Sequence, residues 1–271
     1  MALQDMRLGF VGCGNMGQAL LQGWLRAGLV EAASVTVATA STGPVLSRKY
    51  GVKCGSVESV IASCDWIVLA VKPQKFVEVL GDLRFRDDQV VLSVMAGVGI
   101  SHLRGYQPGG AVVRVMPNLA SRIGHGATVG YAGPNAGVDV KRTVHSLFSA
   151  VGAFVWLPQE EHMHVGTALV GSGPAFIFKV IKALVDSATA LGLDAEASRS
   201  LAFTMVTGSS ELARGTNQSL DELCDSVASP GGTTRAGLSV LDERNLETHI
   251  GDAVKAATHR SYELAQEGET K

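Results

Sequence analysis

The sequence predicts an α/β protein in which a doubly wound parallel sheet is followed by an all-helical domain. Three observations support this prediction. An apolar strand near the N-terminus runs into a glycine turn and a helix, further apolar strands recur as far as residue 157, and long helical patterns replace them from about residue 158. Strands that alternate with helices are typical of a parallel sheet with both faces covered. We therefore expect two domains, residues 1–158 and 159–271.

The composition is that of an ordinary globular protein. The 271 residues are 46% hydrophobic and 18% charged, and the formal net charge of -2 gives no electrostatic basis for binding nucleic acid or a membrane surface. The four cysteines are scattered without a C-x-x-C pair, which favours reduced thiols in a cytoplasmic protein over a disulfide framework or a metal site. The first residues are too few and too polar for a signal peptide, and no uninterrupted apolar run reaches the roughly 20 residues of a membrane span.

The first predicted strand, Leu8–Val11, leads into a candidate dinucleotide site. Three glycines follow it in a G-x-G-x-x-G pattern, ahead of a helix predicted over Gln18–Ala27. In this Rossmann-type arrangement the first glycine makes the turn, the second lets the backbone approach a pyrophosphate, and the third lets helix and strand pack closely. A purely structural glycine turn is the alternative interpretation. The residues expected to contact the cofactor here are Gly12, Cys13, Gly14, Asn15, Met16 and Gly17.

The second predicted strand ends at Ala38, where a dinucleotide fold places the adenine ribose. NAD sites have Asp or Glu at this point, whereas this chain continues as Thr-Ala-Ser-Thr over residues 39–42. The absence of a carboxylate removes repulsion against a 2′-phosphate. The hydroxyls of Thr39 and Ser41 can donate to that phosphate, and the cations at positions 48 and 49 can add charge. These features favour NADPH over NADH, and a plain polar turn is the alternative.

Three further strands, predicted over 65–71, 90–94 and 112–116, each end in residues that break a strand or are small. Ligands of open α/β sheets bind at the carboxyl ends of the strands, so these ends predict one shared cleft. Two more strands, near 127–131 and 153–157, with a helix between them, complete the predicted sheet. The residues expected at the cleft are Ala70, Val71, Lys72, Pro73, Ala96 and Asn118.

The second half of the chain has a helical pattern. Gly171–Gly173 is expected to interrupt it, with Pro174 in the first turn of a new helix. His162 and His164 are two apart and point to different helix faces, so we expect solvated or packed histidines and no metal. The segment 198–212 is apolar or small around most of its circumference, which predicts burial between subunits of a homodimer with intertwined helical domains. Helices are predicted over 159–169, 174–191, 195–214, 220–227, 233–242 and 247–266.

A loop between two of these helices carries the chemistry. It reads Ser229-Pro230-Gly231-Gly232, and a helix is predicted to begin at Thr233 or Thr234. Proline fixes one backbone angle, and the glycines permit conformations that other residues avoid. The free N–H groups of a helix start, two hydroxyls and the helix dipole together form a small anion site that suits a substrate carboxylate. An ordinary helix start after a Pro-Gly loop is the alternative.

The chain resembles the pyrroline-5-carboxylate reductase family nearly from end to end. The resemblance rests on the motifs at 12–17, 70–73, 114–118, 172–176 and 229–234, and the last motif is the most specific. It implies an NADPH-preferring enzyme that reduces the cyclic imine 1-pyrroline-5-carboxylate to L-proline, the last step of proline biosynthesis. It also implies dimers with interlocked helical domains, which often assemble further.

The same resemblance implies a set of site residues. The substrate is bound by Ser229 and by Gly231, Gly232, Thr233 and Thr234, and the Thr234 hydroxyl, the expected catalytic group, lies near the imine nitrogen. The region of Glu160 lines that site as well. Two departures stand out: the end of the second strand lacks the Arg or Asn-Arg of many members, and Ser226 stands where some members have Asn near the nicotinamide.

Imine reduction needs few catalytic side chains. A protonated cyclic imine is already a strong hydride acceptor, so the enzyme has to orient the ring, exclude water and anchor the carboxylate. A 3-hydroxyacid dehydrogenase of similar build is the alternative enzyme, but it uses a helix Lys with Asn one turn later. Here Lys179 is followed by Ala183, and Lys182 by Asp186. A reductase of another cyclic imino acid and a non-catalytic NADP-binding sensor are the remaining alternatives.

Overall fold

The computed structural model describes residues 6–269 and divides them into two compact units. The first contains the described residues as far as Gly171 together with those from Ala256 onward, and the second is Ser172–Lys255. The predicted domain boundary after residue 158 stays a prediction. The predicted fold class, an N-terminal Rossmann-type sheet followed by helices, is confirmed.

The first unit contains an eight-stranded sheet with the strand order 3-2-1-4-5-6-7-8. The first strand pairs in parallel with the second on one side and with the fourth on the other. The order therefore reverses beside the first strand, which is where ligands bind in doubly wound sheets. The strands are β1 Leu8–Val11, β2 Val35–Ala38, β3 Lys53–Cys54, β4 Trp66–Leu69, β5 Val90–Ser93, β6 Ala111–Pro117, β7 Gly126–Ala132 and β8 Gly152–Trp156.

One strand pairing departs from the predicted parallel pattern. β6 and β7 are antiparallel, whereas every other neighbouring pair of the sheet in the described residues is parallel. The connection between them is a short loop with a 3₁₀ helix at Leu119–Ile123. A parallel crossover needs a dozen or more residues, so this short connection can only return the chain in the opposite direction.

Helices cover both faces of the sheet, and each face has its own apolar cluster. On one face Trp24 packs edge-on against Phe148, and its indole N–H donates to the carbonyl of Leu147 at 2.9 Å. Burial on both faces explains why β1, β4 and β5 are continuously apolar or small. The helices of this unit are α1 Asn15–Arg26, α2 Gly43–Tyr50, α3 Val57–Ser63, α4 Phe76–Leu80, α5 Ile100–Arg104, α6 Val138–Ser149 and α7 His162–Gly166.

Two of the remaining helices, α9 and α10, begin where their capping residues predict. The Asp194 carboxylate accepts hydrogen bonds from the N–H groups of Glu196 and Ala197, both at 3.0 Å. Ser219 and Glu222 form the reciprocal hydrogen bonds of a capping box, as predicted. These helices are α8 Gly173–Ala190, α9 Ala195–Arg214, α10 Leu220–Ser226, α11 Thr233–Glu243 and α12 Leu246–Glu269.

The expected interruption at Gly171–Gly173 is wrong. Thr167–Ser172 forms a π-helical turn that joins α7 to α8, so the backbone stays helical through the glycines. Pro174 lies in the first turn of α8 and has no N–H to donate to the preceding turn. A wide π turn accommodates this missing hydrogen bond without breaking the helix.

The helical run His162–Ala190 is long and apolar enough to cross a membrane by length and composition alone. It meets that test although Lys179 and Lys182 lie within it. Length and composition are weak evidence, because helices that are buried in protein interfaces have the same character.

The second unit leaves many large apolar side chains exposed. On α9, Leu201 is 59% exposed and Leu212 is 63% exposed, whereas Ser198 and Ala202 are buried. Patches of this kind in a globular protein mark surfaces that another molecule covers. The other members of this exposed set include Ile177, Phe178, Leu191, Phe203, Met205, Leu220, Val227 and Val240.

Candidate active site

A cavity of about 860 Å³ lies at the carboxyl ends of β1, β2 and β4. This volume is within the usual range for a small-molecule site. The cavity occupies the predicted position, beside the strand at which the sheet order reverses. The residues predicted from the sequence that line it are Gly12, Cys13, Gly14, Thr39, Ser41, Ala70, Val71 and Lys72.

The three glycines of the first turn have three different environments. Gly12 has φ +78°, and a Cβ there would lie 2.6 Å from Val71 Cγ1 and 2.8 Å from the Ala70 carbonyl oxygen. A Cβ on Gly14 would meet no atom within 4 Å. A Cβ on Gly17 would lie 3.3 Å from both the Ala70 Cβ and the Cys13 sulfur. The first glycine therefore makes the turn, the second leaves space for a ligand to approach, and the third allows the helix to pack closely.

The start of α1 has free hydrogen-bond donors. Gly14 is the N-cap residue and provides no side-chain cap, so the first N–H groups of the helix, at Asn15 and Met16, have no capping oxygen. These donors and the helix dipole favour a bound anion. Asn15, Met16 and Gly17 extend from the turn but are not part of the cavity wall.

The thiol of Cys13 does not provide reactivity in this site. Its side chain is buried, and burial raises the pKa of the thiol to about 12. It therefore stays protonated at neutral pH and packs as a small apolar group. The Cys13 carbonyl accepts a hydrogen bond from Gln18 Nε2 at 3.1 Å, which holds the turn against α1.

The loop after β2 presents hydroxyl groups to the cavity. The Thr42 hydroxyl lies 3.2 Å from the Thr39 hydroxyl, and Thr42 precedes α2 without forming a side-chain cap. The two cations suggested for this region have other neighbours: Arg48 donates to the Pro44 carbonyl, and Lys49 lies over the Tyr50 ring. Hydroxyls and backbone donors thus form this part of the wall.

Sequence reasoning missed the ion pair of Lys75 and Glu78 in the wall. It also missed the polar segment Gly55-Ser56. This segment follows β3, which has only two residues and therefore no detectable periodicity. Ser56 is also the N-cap of α3, where its hydroxyl accepts from Ser59 N at 3.2 Å. A serine directly before the first residue of α3 was the available signal.

Pro73, Ala96 and Asn118 lie outside the wall of this cavity. Pro73 begins a 3₁₀ turn after Lys72. Ala96 lies in the loop after β5 and packs near Met116. Asn118 is buried, and its Oδ1 accepts from the N–H groups of Ala120 and Ala127. Both hydrogen bonds use the oxygen, so the amide nitrogen is the atom that remains for a ligand.

Glu160 forms an ion pair that sequence reasoning did not identify. Its Oε1 lies 2.6 Å from Arg114 Nη1 on β6 and also accepts from Ile100 N, at the start of α5, at 2.7 Å. Arg114 is buried, and its Nε has no hydrogen-bond partner among the described residues. One charged residue within the apolar strand Val112–Met116 was the signal that marked it.

His164 belongs to the same region. It is buried, its Nδ1 lies 3.0 Å from Ser261 Oγ on α12, and its ring stacks on Tyr262 with the centroids 3.9 Å apart. Burial lowers the pKa of His164, and the nearby Arg114 charge lowers it further. His162 is exposed. Within residues 6–269 no three His, Cys, Asp or Glu side chains come together as metal ligands.

The loop predicted to hold the substrate belongs to the second unit. Gly231 has φ +69°, a left-handed conformation that favours glycine, whereas a Cβ on Gly232 would displace the Ser229 hydroxyl at 2.4 Å and lie 3.1 Å from the Ser229 carbonyl oxygen. α11 begins at Thr233, as predicted, and has no side-chain cap. Thr233 is exposed and Thr234 is half-buried. The first N–H groups of α11 are therefore available to an anion.

An ion pair closes the base of this loop. Arg235 Nη2, on the first turn of α11, lies 3.1 Å from Asp225 Oδ1 on α10. The pair joins the two helices that flank the loop, and both side chains are exposed.

Two family descriptions match the chain. Residues 160–264 match the description "pyrroline-5-carboxylate reductase dimerisation", and residues 7–97 match "NADP oxidoreductase coenzyme F420-dependent". Family-level similarity therefore covers both the sheet and the helical half of the chain.

Named relatives match over nearly the full length. The pyrroline-5-carboxylate reductase of Methanosarcina acetivorans is 36% identical over 97% of this chain and 100% of its own length. That of Arabidopsis thaliana is 32% identical over 97% of both chains. The crystal structure of Plasmodium falciparum pyrroline carboxylate reductase with NADP bound superposes with a TM-score of 0.90 at 28% identity, and covers 97% of this chain and 99% of that chain. This chain belongs to the pyrroline-5-carboxylate reductase family.

Proposed function

We propose that this chain reduces 1-pyrroline-5-carboxylate to L-proline and uses NADPH as the reductant. The observation that carries the proposal is the uncapped start of α11 behind the Gly231-Gly232 turn, in a chain that matches named pyrroline-5-carboxylate reductases from end to end. A carboxylate-binding loop has a purpose in an enzyme for an imino acid, whereas a sensor that binds only NADP does not need one.

The coenzyme site that we propose follows from the 860 Å³ cavity. The open space at Gly14 and the free donors of Asn15 and Met16 suit a pyrophosphate. Gly12, Cys13 and Gly17 shape the turn, Ala70, Val71 and Lys72 form the opposite wall, and Pro73 follows just beyond it. When bound, NADPH supplies the hydride that reduces the imine carbon. Ala96 and Asn118 extend the site toward the nicotinamide half.

The hydroxyls of Thr39 and Ser41 favour a coenzyme that carries a 2′-phosphate. A carboxylate at this position would accept from ribose hydroxyls and repel a phosphate, and residues 39–42 contain none. Hydroxyls can donate to a phosphate oxygen, and the start of α2 adds backbone N–H groups. NADH remains a weaker alternative substrate for the same cavity.

The substrate site that we propose is the loop from Ser229 to Thr234. The backbone N–H groups of Gly231, Thr233 and Thr234 hold the carboxylate of the cyclic imino acid, while the Gly232 N–H donates to the Ser229 carbonyl at 3.0 Å and shapes the turn. The Thr234 hydroxyl hydrogen-bonds the ring nitrogen. The electron density of this nitrogen rises as the imine is reduced, so the hydroxyl is the catalytic group. The family resemblance also assigns the region of Glu160 to substrate binding, and the carboxylate of Glu160 is paired with Arg114.

The assembly that we propose is a homodimer with interlocked helical domains, able to assemble further. The support is the exposed apolar surface of α8 and α9 together with the match of residues 160–264 to a dimerisation family. A second copy of the chain would cover Leu201, Leu212 and their neighbours. We place the protein in the cytoplasm, where a biosynthetic reductase meets NADPH and where thiols stay reduced.

The test is coenzyme oxidation with defined substrates. Purified protein is mixed with NADPH and with 1-pyrroline-5-carboxylate, a six-membered cyclic imino acid, or 2-keto acids, and absorbance of the reduced coenzyme is followed. Efficient consumption with the five-membered imino acid and formation of L-proline are expected. Consumption with keto acids alone would refute the proposal.

A further inference from the structure

The ion pair between Arg114 and Glu160 connects three segments of the first unit: β6, the start of α5, and the turn before α7 that contains Glu160. The two side chains are 5% and 31% exposed, and Arg114 Nη1 lies 2.6 Å from Glu160 Oε1. The same oxygen accepts a hydrogen bond from Ile100 N at 2.7 Å. One carboxylate oxygen therefore connects the middle of β6 to the first residue of α5.

The loop that ends at Ile100, residues 94–99, is held along its length. At its beginning, Met95 N donates to Ser93 Oγ at 3.3 Å. At its centre, Gly97 has φ +73° and packs so closely on α12 that a Cβ would lie 3.0 Å from Leu264 Cβ. At its end, Ile100 N is held by the Glu160 carboxylate. The Val94 N–H also donates to the Leu69 carbonyl at 3.0 Å, so the Glu160 carboxylate is one of four contacts that position this loop.

This loop belongs to the half of the sheet that faces the second nucleotide. A doubly wound sheet binds a dinucleotide as two mononucleotide halves on either side of the strand at which the order reverses. The adenine half lies toward β2, so the nicotinamide half lies toward β4, β5 and β6. Residues 94–99 follow β5 at its carboxyl end, with Ala96 between the anchored points.

We propose that Arg114 is a positioning residue for the reactive half of the coenzyme, acting through Glu160 and the Ile100 N–H on residues 94–99. This inference rests on the proposed function. A role in stability explains the pair poorly, because Arg114 Nε is buried without a partner and a buried donor left unpaired weakens the fold. Apolar side chains often replace buried ion pairs without loss of stability. A positional role explains why a charge lies within this apolar strand.

The test compares two ligands that occupy different lengths of the cleft. NADPH spans both halves, whereas 2′,5′-ADP carries only the adenine half with its 2′-phosphate. Affinities for both are measured by titration in the wild-type protein, in Arg114→Met and in Glu160→Ala, without substrate. Arg7→Met is the matched control, because it removes an Arg–carboxylate pair with Asp65 at the amino ends of the strands.

Both test variants should weaken NADPH by about 2- to 30-fold, the range for residues that act through a network. Affinity for 2′,5′-ADP should stay within about twofold, and Arg7→Met should change neither ligand. The double variant should lose no more NADPH affinity than either single variant, because each substitution breaks the same linkage from Arg114 through Glu160 to Ile100. If Arg114→Met does not fold, the ratio of the NADPH affinity to the 2′,5′-ADP affinity in Glu160→Ala tests the inference instead.

Several results overturn the inference. Equal weakening of both ligands indicates a general loss of structure, and unchanged NADPH affinity in both variants excludes a positional role. Additive losses in the double variant show that the two residues act separately. A wild-type protein that binds neither ligand overturns the proposed function and this inference with it, whereas unchanged affinity ratios in a protein that binds both overturn the inference alone.

Discussion

Gly14→Ala should separate coenzyme binding from folding. The position has an extended backbone, φ -74° and ψ -157°, which alanine adopts freely, and the new methyl group meets no atom within 4 Å. Alanine is a poorer N-cap than glycine by about 1 kcal/mol, and the smaller conformational freedom of alanine in the unfolded chain offsets part of this cost. The free energy of unfolding should therefore change by less than about 1 kcal/mol.

The same methyl group occupies the space that a pyrophosphate needs. Hydrogen bonds from backbone N–H groups to a charged phosphate contribute about 1.5–3 kcal/mol each. Loss of one such contact at the start of α1 corresponds to a reduction of about 10- to 150-fold in NADPH affinity. The variant should thus keep its fold and lose most of its coenzyme affinity.

Gly12→Ala is the matched variant with the opposite expectation. Its φ of +78° is left-handed, and the new Cβ would lie 2.8 Å from the Ala70 carbonyl oxygen, a backbone atom that cannot move aside. The left-handed conformation alone costs an L-residue about 1–2 kcal/mol, and the contact adds to that. At about 2–4 °C per kcal/mol for a domain of this size, the melting temperature should fall by several degrees.

The assay is thermal unfolding by circular dichroism beside NADPH titration by fluorescence, on wild type and both variants. The reasoning is refuted if Gly14→Ala binds NADPH as tightly as wild type. It is refuted as well if the melting temperature of Gly14→Ala is as low as that of Gly12→Ala, because a methyl group in open space should not destabilise the fold.

Four further outcomes are expected. Thr234→Ala should lower turnover about 10- to 150-fold in steady-state kinetics without changing NADPH affinity, and Thr233→Ala should do less; equal kinetics would make the hydroxyl a helix cap only. Ser41→Asp should narrow or reverse a preference for NADPH over NADH, and an unmodified protein that prefers NADH contradicts this reading. Because burial lowers the pKa of His164 in the folded protein, the unfolded chain binds this proton more readily. The contribution of His164 to the free energy of unfolding is therefore complete above about pH 6.5 and is lost as the pH falls from there to the pKa of the folded state. His164→Gln should flatten this dependence of the melting temperature on pH. Light scattering at micromolar concentration should find at least a dimer, and Leu201→Asp should weaken it; a monomeric, active wild type would exclude this interface.

Local sequence was enough for the elements whose determinants lie within one segment. β1, its glycine turn and α1 are adjacent in the chain, so the spacing of Gly12, Gly14 and Gly17 was enough to predict the turn, although Gly12 and Gly17 also pack against Ala70, which follows β4. The helix starts at Asp194 and Ser219 were equally predictable, because a capping side chain bonds to N–H groups two or three residues away. Continuous apolar runs marked the buried strands, since both faces of a covered sheet exclude water.

Short elements and pairs of residues that are distant in the chain could not be predicted from the sequence. β3 and the helices α2 to α5 have at most eight residues, too few for a period to emerge. Glu160 was expected in the site, but nothing local indicates that its carboxylate would join Arg114, 46 positions away, to the start of α5. The link between His164 and Ser261 spans 97 positions.

The sequence by itself therefore determined the fold class, the glycine turn after β1 and the start of α11 at Thr233, because each depends on backbone conformations and periodicities that neighbouring residues impose. Tertiary structure alone decided which strand runs antiparallel, which predicted residues share the cavity wall, and which charges meet in the interior. The physical reason is that burial and pairing of polar groups depend on the packing of the whole chain: a buried arginine is stable only where the fold brings a carboxylate to it.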